Sequence, residues 1–287
     1  MIRSKFVAIT SLAALLIASL LLAKPLVAID DQQPEHFQKT FTVSPGATLS
    51  VDNYKGTIHV TAAEGAQVSV DVLKKFEGSD SDRKWWMDNV KIDFRNDAQR
   101  VTIKVDYPSC NFCFNFHGYT AEVDLEIRVP KQINVALDGY KPDIKISGVQ
   151  GDVSVKSYKA PMLIEGTTGS IRVDTYKDSI RLRNVKITDG LEIKSYKADV
   201  EVSARDLGKV ADLETEKGSI AVRVPGDAGL DVDYSGGRRS SFHSDFQLAV
   251  ASGSSDTVRG SINGGGTRLR LRTTKGTVSL QKISGEL

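Results

Sequence analysis

A Tyr-Lys dipeptide returns at nearly constant intervals along this chain of 287 residues. It begins at Tyr140, Tyr158, Tyr176 and Tyr196, with spacings of 18, 18 and 20 residues. An earlier copy begins at Tyr54, and two later copies keep the frame with Glu216 or Thr274 in place of tyrosine. A second series of short turns lies between these units, so each period holds two short strands and two turns. Connections this short leave no room for crossover helices.

Apolar and polar residues alternate on both sides of each Tyr-Lys unit, as Ile171 and Val173 do before Tyr176 and Ile180 and Leu182 do after it. Such alternation is typical of half-buried strands. A single coil buries too few aliphatic side chains to offset its conformational entropy, so neighbouring coils must share backbone ladders. The sequence therefore predicts an all-β parallel β-helix or β-solenoid, with two short strands per coil of 18–20 residues and coils stacked ~4.8 Å apart.

The repeat is less regular before residue 131. Strands are expected near 37–43, 68–73, 90–94 and 101–107, and the best short helical candidate is 82–89. We expect residues 29–130 to form an N-terminal β segment and cap with an aromatic and cysteine-containing loop. Residues 131–287 then form the solenoid repeats, continuous with the preceding segment as one domain.

Residues 1–28 are typical of an export signal, with Arg3 and Lys5 ahead of an apolar run. Cleavage is predicted after Ala28, with Ala23 as the second choice and an uncleaved anchor left open. No later segment is apolar for long enough to cross a membrane. The mature protein is therefore expected in the periplasm, the outer cell envelope or outside the cell, with no transmembrane segment after signal cleavage.

The overall charge argues against nucleic acid as a partner. Without residues 1–28 the chain has 35 basic and 36 acidic residues, whereas nucleic-acid binders concentrate a basic excess. An envelope glycan or a surface protein suits a near-neutral chain better, and the oligomeric state is left open.

The order of several segments resembles a bacterial β-strand-repeat family of domains of unknown function labelled "putative adhesins". The segments that carry the resemblance are 41–46 with 49–51, 123–130, the repeated turn and strand units, 261–266 and 269–278. The resemblance implies a parallel β-helix or solenoid, an envelope location and no established catalytic residue. It also implies glycine at the turns, so where Pro142, Ala160, Asp178 and Ala198 replace it we expect a different local conformation.

The Tyr-Lys repeat is the candidate binding site. If the tyrosines occupy one point of successive coils, their rings form a column at ~4.8 Å spacing. One interpretation is a structural ladder that seals a corner of the solenoid, and the other is a row of aromatic platforms flanked by lysines that binds an envelope glycan. Nearby Asp143, Asp178 and Asp199 could neutralise the lysines. The candidate binding residues are Tyr140, Tyr158, Tyr176, Tyr196, Lys141, Lys159, Lys177 and Lys197.

Cys110 and Cys113 form a CxxC pair between strands. A thioredoxin-type site needs a helix after the first cysteine, and a zinc site needs four ligands, of which only His117 is near. A local disulfide or two free thiols is therefore favoured over redox or metal chemistry.

No catalytic constellation, metal site or cofactor motif is present, because the four histidines are scattered and no nucleophile elbow or phosphate loop occurs. The leading hypothesis is a non-enzymatic, exported cell-envelope β-solenoid that acts as a putative adhesin or as a binding or structural surface for a repetitive ligand such as a glycan. The alternatives are a polysaccharide lyase or hydrolase on a β-helix, and an envelope-stress accessory protein that binds a membrane partner.

Overall fold

A computed structural model describes residues 35–108, 120–254 and 256–283. The predicted leader at residues 1–28 and the pair Cys110 and Cys113 lie outside the described residues. The elements in chain order are β1 (His36–Thr42), β2 (Ala47–Ala63), β3 (Gln67–Glu77), α1 (Asp80–Asn89), β4 (Lys91–Asn96), β5 (Arg100–Asp106), β6 (Thr120–Pro130), β7 (Ile133–Ser147), β8 (Val153–Lys159), β9 (Met162–Glu165), β10 (Thr168–Lys177), β11 (Ile180–Lys197), β12 (Val200–Leu207), β13 (Val210–Lys217), β14 (Ile220–Val224), β15 (Leu230–Ser244), β16 (Ala249–Gly253), β17 (Thr257–Ile262) and β18 (Thr267–Lys282).

Two parallel ladders form the body of the molecule, and both are built from successive coils. Face 1 contains, in spatial order, β5, the first half of β2, the first half of β7, β8, β10, the second half of β11, β13, and the first halves of β18 and β15. Face 2 contains β6, the second half of β2, the second half of β7, β9, the first half of β11, β12, β14, and the second halves of β18 and β15. The predicted parallel β-solenoid is confirmed.

The core lies between the faces and follows the alternation in the sequence. Ile171 and Val173 on face 1 and Ile180 and Leu182 on face 2 are all buried, while Arg172 and Arg181, which lie between the members of each pair, are exposed. Because the strand period is two, one slip in register would move this whole set to solvent.

A third short ladder closes the coils opposite the Tyr-Lys corner, and it adds to the two strands per coil that were predicted. Thr168 pairs with Gln150 on one side and with Lys186 on the other. Lys186 continues to Asp206 in the next coil. These segments are only two or three residues long, which is why alternation alone did not show them.

Strand order in space departs from chain order at both ends of the stack. β2 lies between β5 with β6 on one side and β7 on the other. β18 lies between β13 with β14 on one side and β15 on the other. The last described strand is therefore an inner strand of both faces.

Antiparallel strand pairs lie at the two ends of the stack of coils. β4 pairs with β5, β1 pairs with β3 and β3 with β6, while β17 pairs with β15 and β16 with β17.

Helix α1 begins after Ser79, whose Oγ accepts from the Asp82 N–H at 3.2 Å. Its buried Trp86 packs against Phe76 of β3, with ring centroids 5.9 Å apart. Among the described residues, no helix has the length and hydropathy needed to span a membrane.

The residue two places after the tyrosine position takes one of two conformations. Gly56, Gly218 and Gly276 have φ of 116°, 150° and 145°. Pro142, Ala160 and Ala198 leave this region, as predicted, and all three are buried. Asp178 keeps it with φ 97°, so the expectation of a changed conformation is wrong at that position. Aspartate is one of the few residues that tolerate a left-handed conformation.

Candidate functional site

The tyrosines of the Tyr-Lys repeat form one stacked column at the corner between the two faces. Tyr54, Tyr140, Tyr158, Tyr176 and Tyr196 are its members, and we refer to them as the tyrosine column. Successive ring centroids are 4.8, 4.8, 4.9 and 4.9 Å apart, with interplanar angles of 7°, 3°, 2° and 10°. The spacing equals the distance between neighbouring hydrogen-bonded strands, because each tyrosine occupies the same place in its coil, or rung, of the solenoid.

The faces of the rings in the column cover one another. Tyr54, Tyr158 and Tyr176 are 50%, 39% and 42% exposed, and with parallel neighbours on both sides an inner ring presents its edge and its hydroxyl to solvent. A flat ligand therefore has no access to the faces of Tyr140, Tyr158 and Tyr176. Each stacked pair stabilises the corner by about 0.5–1.5 kcal/mol beyond area burial.

Different groups close the two ends of the column. Tyr107 of the N-terminal segment lies against Tyr54 at 5.6 Å and 58°, and Trp86 lies 6.2 Å beyond Tyr107. At the other end the Lys217 Nζ lies 4.5 Å from the centroid of Tyr196 and also donates to its hydroxyl. This hydrogen bond is the main reason that the pKa of Lys217 is raised.

The lysines of the repeat form a second row beside the column. Lys159 pairs in register with Lys177, and Lys177 pairs with Lys197. The row is longer than the four predicted lysines, because Lys55 pairs with Lys141 at one end, and Lys217 pairs with Lys275 at the other. Arg239 of β15 pairs with Lys275 and ends the row. We refer to this row as the basic ridge; its members are Lys55, Lys141, Lys159, Lys177, Lys197, Lys217, Lys275 and Arg239.

Most of the basic ridge has no carboxylate partner. Lys55 lies 3.7 Å from Glu122, but no other ridge residue has a carboxylate oxygen within 4.0 Å among the residues that the structure describes. The Lys141 and Lys177 ammonium groups lie 5.2 and 5.9 Å from the ring centroids of Tyr140 and Tyr158. These two ammonium groups therefore lie near tyrosine rings and, in the part of the chain that the structure describes, have no carboxylate beside them.

The three aspartates that could neutralise the lysines form no ion pair with them. Asp199 instead accepts a hydrogen bond from the Ser219 N–H at 2.9 Å. Asp143 and Asp178 also lie more than 4.0 Å from every lysine nitrogen of the described part. Apart from Lys55, the ridge therefore keeps its positive charges close to one another without an ion pair to a carboxylate of the described part.

The opposite side of the column carries charges that alternate in sign. Along face 1 the register pairs Asp138 with Lys156, Lys156 with Asp174, Asp174 with Lys194, and Lys194 with Glu214. On the same strand, the side chain of Lys194 donates to Glu192 two residues earlier, and this hydrogen bond is the main reason that the pKa of Glu192 is lowered. Alternating neighbours attract across the strands, so this surface is largely satisfied internally.

One like-charge pair interrupts this alternation. Asp52 stands beside Asp138 in register. Partial burial, followed by the charge of Asp138, raises the pKa of Asp52, and the nearby Lys104 opposes the shift.

Two shallow grooves border the column on its face 1 side. A groove of about 700 Å³ follows Tyr54, Tyr140 and Tyr158, and one of about 670 Å³ follows Tyr176 and Tyr196. Beyond the end of the column, Glu216, Thr274 and Gly237 line the second groove in place of tyrosines.

A third groove lies on the ridge side of the column. It holds about 540 Å³ and is lined by Lys177, Lys197 and Lys217 together with Asp178 and Asp199. Positive groups and hydrogen-bond acceptors therefore face the same open space.

No arrangement in the described part points to metal chemistry. Within 35–108, 120–254 and 256–283, no three histidine, cysteine or acidic residues come together as a metal site would require. The candidate disulfide of Cys110 and Cys113 stays a prediction, since both residues lie outside that part.

Fold and surface together define a parallel β-solenoid with a continuous corner of tyrosines and lysines. Residues 165–281 match the family described as Toastrack DUF4097, a family of domains of unknown function. The predicted resemblance to such a family is therefore confirmed in that part of the chain. No curated protein is similar enough in sequence to count as a relative.

Several solved structures show a distant likeness. A putative adhesin from Bacteroides fragilis NCTC 9343 is 12% identical, with 88% of this chain and 99% of that chain covered and a TM-score of 0.34. A putative cell adhesion protein from Clostridium sporogenes ATCC 15579 is 10% identical, with 86% and 100% covered and a TM-score of 0.29. A putative lipid binding protein from Parabacteroides distasonis ATCC 8503 is 11% identical, with 87% and 97% covered and a TM-score of 0.27. Structures that are this distantly similar do not indicate what this chain binds.

Proposed function

We propose that this protein is a non-enzymatic, exported β-solenoid of the cell envelope whose surface binds or supports a repetitive ligand, with a glycan as the first choice. The observation that carries the proposal is the column of five tyrosines, which repeats one group of surface atoms at 4.8–4.9 Å in successive coils. A ligand that repeats along its own length can use the same contact many times. Weak single contacts then add along the chain.

The ring edges and hydroxyls would make these contacts. Because the faces of the inner rings cover one another, a sugar would lie across the edges in the grooves beside the column. Its hydroxyls would exchange hydrogen bonds with the tyrosine hydroxyls and with side chains such as Asp174 and Lys194, which line the 670 Å³ groove. This mode differs from the stacking on aromatic platforms that the sequence suggested.

The envelope location is part of the proposal and rests on the predicted export signal. Measuring the mass of the mature protein after expression with residues 1–28 tests it directly. Cleavage after Ala28 or Ala23 supports export, and recovery of the uncleaved chain in the cytosol contradicts it.

Two pairs of substitutions separate the binding role from the structural role. Replacing Tyr158 and Tyr176 with Phe keeps the stacked rings and removes two hydroxyls, whereas replacing both with Ala also removes the rings. We expect the Phe pair to keep the thermal midpoint within ~1–2 °C and to lose retention on immobilised envelope polysaccharides. The Ala pair should lose both.

The outcome decides the role of the column. Unchanged retention in the Phe pair together with a lower thermal midpoint in the Ala pair would mean that the column is structural only. Incubation with the same polysaccharides tests the absence of enzymatic activity, because new reducing ends or unsaturated products would contradict the proposal.

A further inference from the structure

The basic ridge lies along the solenoid and shares its period. Its members occupy one position on successive rungs, so neighbouring charges are separated by about the rise of one coil, ~4.8 Å. At its centre, Lys159 stands in register beside Lys177, and Lys177 beside Lys197. Because like charges this close repel, the ridge has its lowest energy when a counter-charge with a similar period lies along it.

The protein itself does not supply that counter-charge. Among the residues that the structure describes, only Lys55 of the ridge has a carboxylate within 4.0 Å. By contrast, two lysines at the far corner of face 1 have carboxylate partners, since Lys131 contacts Glu64 and Lys209 lies 2.8 Å from Asp189. The contrast between the two corners favours an external anion at the ridge.

We propose that the ridge recognises a linear acidic polysaccharide that lies along the solenoid axis, with uronate carboxylates on the lysines. The inference rests on the proposed function and narrows its ligand class. One sugar residue is comparable in length to one coil rise, so a uronic acid polymer can place a carboxylate near each rung.

The surroundings of the ridge favour a sugar over other polyanions. Asp178 and Asp199 line the same groove as Lys177, Lys197 and Lys217. Their carboxylates accept hydrogen bonds from sugar hydroxyls, whereas they repel a dense polyanion such as polyphosphate, which has no donors to offer. Single-stranded nucleic acid binds largely by stacking its bases on aromatic faces, and the inner faces of the tyrosine column are closed.

The experiment measures binding of galacturonate oligomers of increasing length, with dextran as the neutral probe and oligo-dT as the nucleic-acid probe. We expect affinity for galacturonate to rise with length up to about the length of the ridge and to fall as salt is added. Dextran and oligo-dT should bind at least tenfold more weakly than the longest galacturonate oligomer.

A triple variant, Lys159→Gln, Lys177→Gln and Lys197→Gln, removes the centre of the ridge. At low salt it should lose affinity for galacturonate on the order of tenfold or more. The slope of log affinity against log salt should flatten by up to about one for each lysine removed. Arginine at the same three positions should restore most of the binding, because the charge returns.

The matched control carries the same change in net charge at the far corner of face 1, as Lys131→Gln, Lys186→Gln and Lys209→Gln. It should bind galacturonate within about twofold of the unmodified protein. Equal losses in the two triple variants would overturn the ridge as the binding site, because net charge alone would then explain the effect.

Other outcomes separate this inference from the proposed function. Binding of dextran as tightly as galacturonate, unchanged in the ridge variant, overturns the acidic ligand and leaves glycan binding standing. Preferential binding of oligo-dT through the ridge overturns the polysaccharide assignment. If no polysaccharide of the panel or of the envelope binds, both proposals fail together.

Discussion

Tyr107 is a partly buried residue whose hydroxyl joins the N-terminal segment to the first coils. Its hydroxyl lies 2.6 Å from the Lys55 carbonyl oxygen and accepts from the Val123 N–H at 3.0 Å. Asn53, which is fully buried, donates to the Val123 carbonyl at 2.8 Å. Burial raises the pKa of Tyr107 far above its usual range, so the hydroxyl stays neutral at every pH at which the protein would be studied.

We predict that Tyr107→Phe lowers the free energy of unfolding by about 1–3 kcal/mol, because the Lys55 carbonyl and the Val123 N–H lose their hydrogen-bond partner. Urea denaturation measures the change. Tyr54→Phe is the control, since Tyr54 is half exposed and should change stability by less than about 0.5 kcal/mol. Equal effects of the two substitutions would mean that the hydroxyl of Tyr107 is not a structural centre.

Asp52 gives the protein a dependence on pH that can be assigned to one residue. Its pKa is raised in the folded state by partial burial and by Asp138. The folded state therefore binds more protons than the unfolded state from pH 3.8 up to the raised pKa, so stability falls as pH rises through this window.

The prediction is that Asp52→Asn raises the thermal midpoint at neutral pH and that the gain disappears below about pH 4. Thermal melts between pH 3 and 8 check it. Asp174→Asn is the control, because Asp174 stands in register between Lys156 and Lys194 and its loss should be neutral or destabilising at pH 7. A gain from Asp52→Asn that persists unchanged at pH 3 would contradict the electrostatic cause.

At the scale of the strands, the corner beside the tyrosine column sets how closely two rungs approach. A Cβ at Gly218 would lie 1.9 Å from the Ala198 carbonyl oxygen, and Gly218 has φ 150°. Ala198 is at the equivalent place one rung earlier and has left that conformation. The absence of a side chain at Gly218 is therefore what lets β13 and β14 stack on the preceding coil.

We expect Gly218→Ala to destabilise the protein by at least ~2 kcal/mol, because a left-handed alanine is strained and its methyl group meets a backbone oxygen that cannot move freely. Urea denaturation again gives the magnitude. Gly226→Ala is the matched control, since its Cβ would meet only the Lys282 Cδ at 3.8 Å. A cost at Gly218 no larger than at Gly226 would refute this account of the corner.

The sequence predicted these elements well wherever the repeat itself is the cause. The period of 18–20 residues and the alternation in β8 to β14 predicted parallel stacking, and the Tyr-Lys frame predicted the column with Tyr140 and Tyr158 stacked at 4.8 Å. The exclusion of ligands from the inner ring faces depends on distances and angles that only the assembled rungs have. Nothing in the sequence indicated that Arg239 belongs to the basic ridge, because β15 has no Tyr-Lys dipeptide at that point.

The position of β2 and β18 was equally hidden, since both keep the frame of the repeat. Which neighbours a rung takes is decided by pairing far along the chain. Thr48 pairs with Arg100 and Asn134, and Val278 pairs with Ile220 and Phe242. A periodic pattern predicts that rungs stack. It does not predict their order in space, because nearly the same pattern fits every order of stacking.

At the scale of the whole molecule, β18 follows β13, β14 and β15 in sequence but lies between them in space. Completing both faces therefore depends on a strand that comes late in the chain. β18 pairs with β13 and β14 on one side and with β15 on the other, so β15 is joined to the rest of the stack through β18. Stability in such stacks is a sum of coil and interface contributions. An inner coil is therefore replaceable by its neighbour, whereas β18 has no substitute.

This difference predicts opposite outcomes for two deletions. Removing residues 159–176 takes out one coil of 18 residues and joins Tyr158 to Lys177, so the frame, the core alternation and the column continue with one tyrosine fewer. We expect this protein to fold with a single cooperative transition. Removing residues 267–282 deletes fewer residues, but it takes away β18, the neighbour of β13 and β14 on both faces. We expect the resulting chain to be degraded by limited proteolysis.

The shortened protein should also acquire a dependence on salt. Without Asp174 in between, Lys156 becomes the neighbour of Lys194, and like charges directly opposite on adjacent strands destabilise by roughly 0.2–1 kcal/mol. Added salt should recover part of that loss. Removing residues 159–196 instead places Lys156 beside Glu214 and should show no such recovery, as thermal melts in 20 mM and 500 mM salt would reveal. If both shortened proteins respond to salt alike, the alternating charges of face 1 do not act as neighbours, and if neither folds, the coils are not interchangeable units.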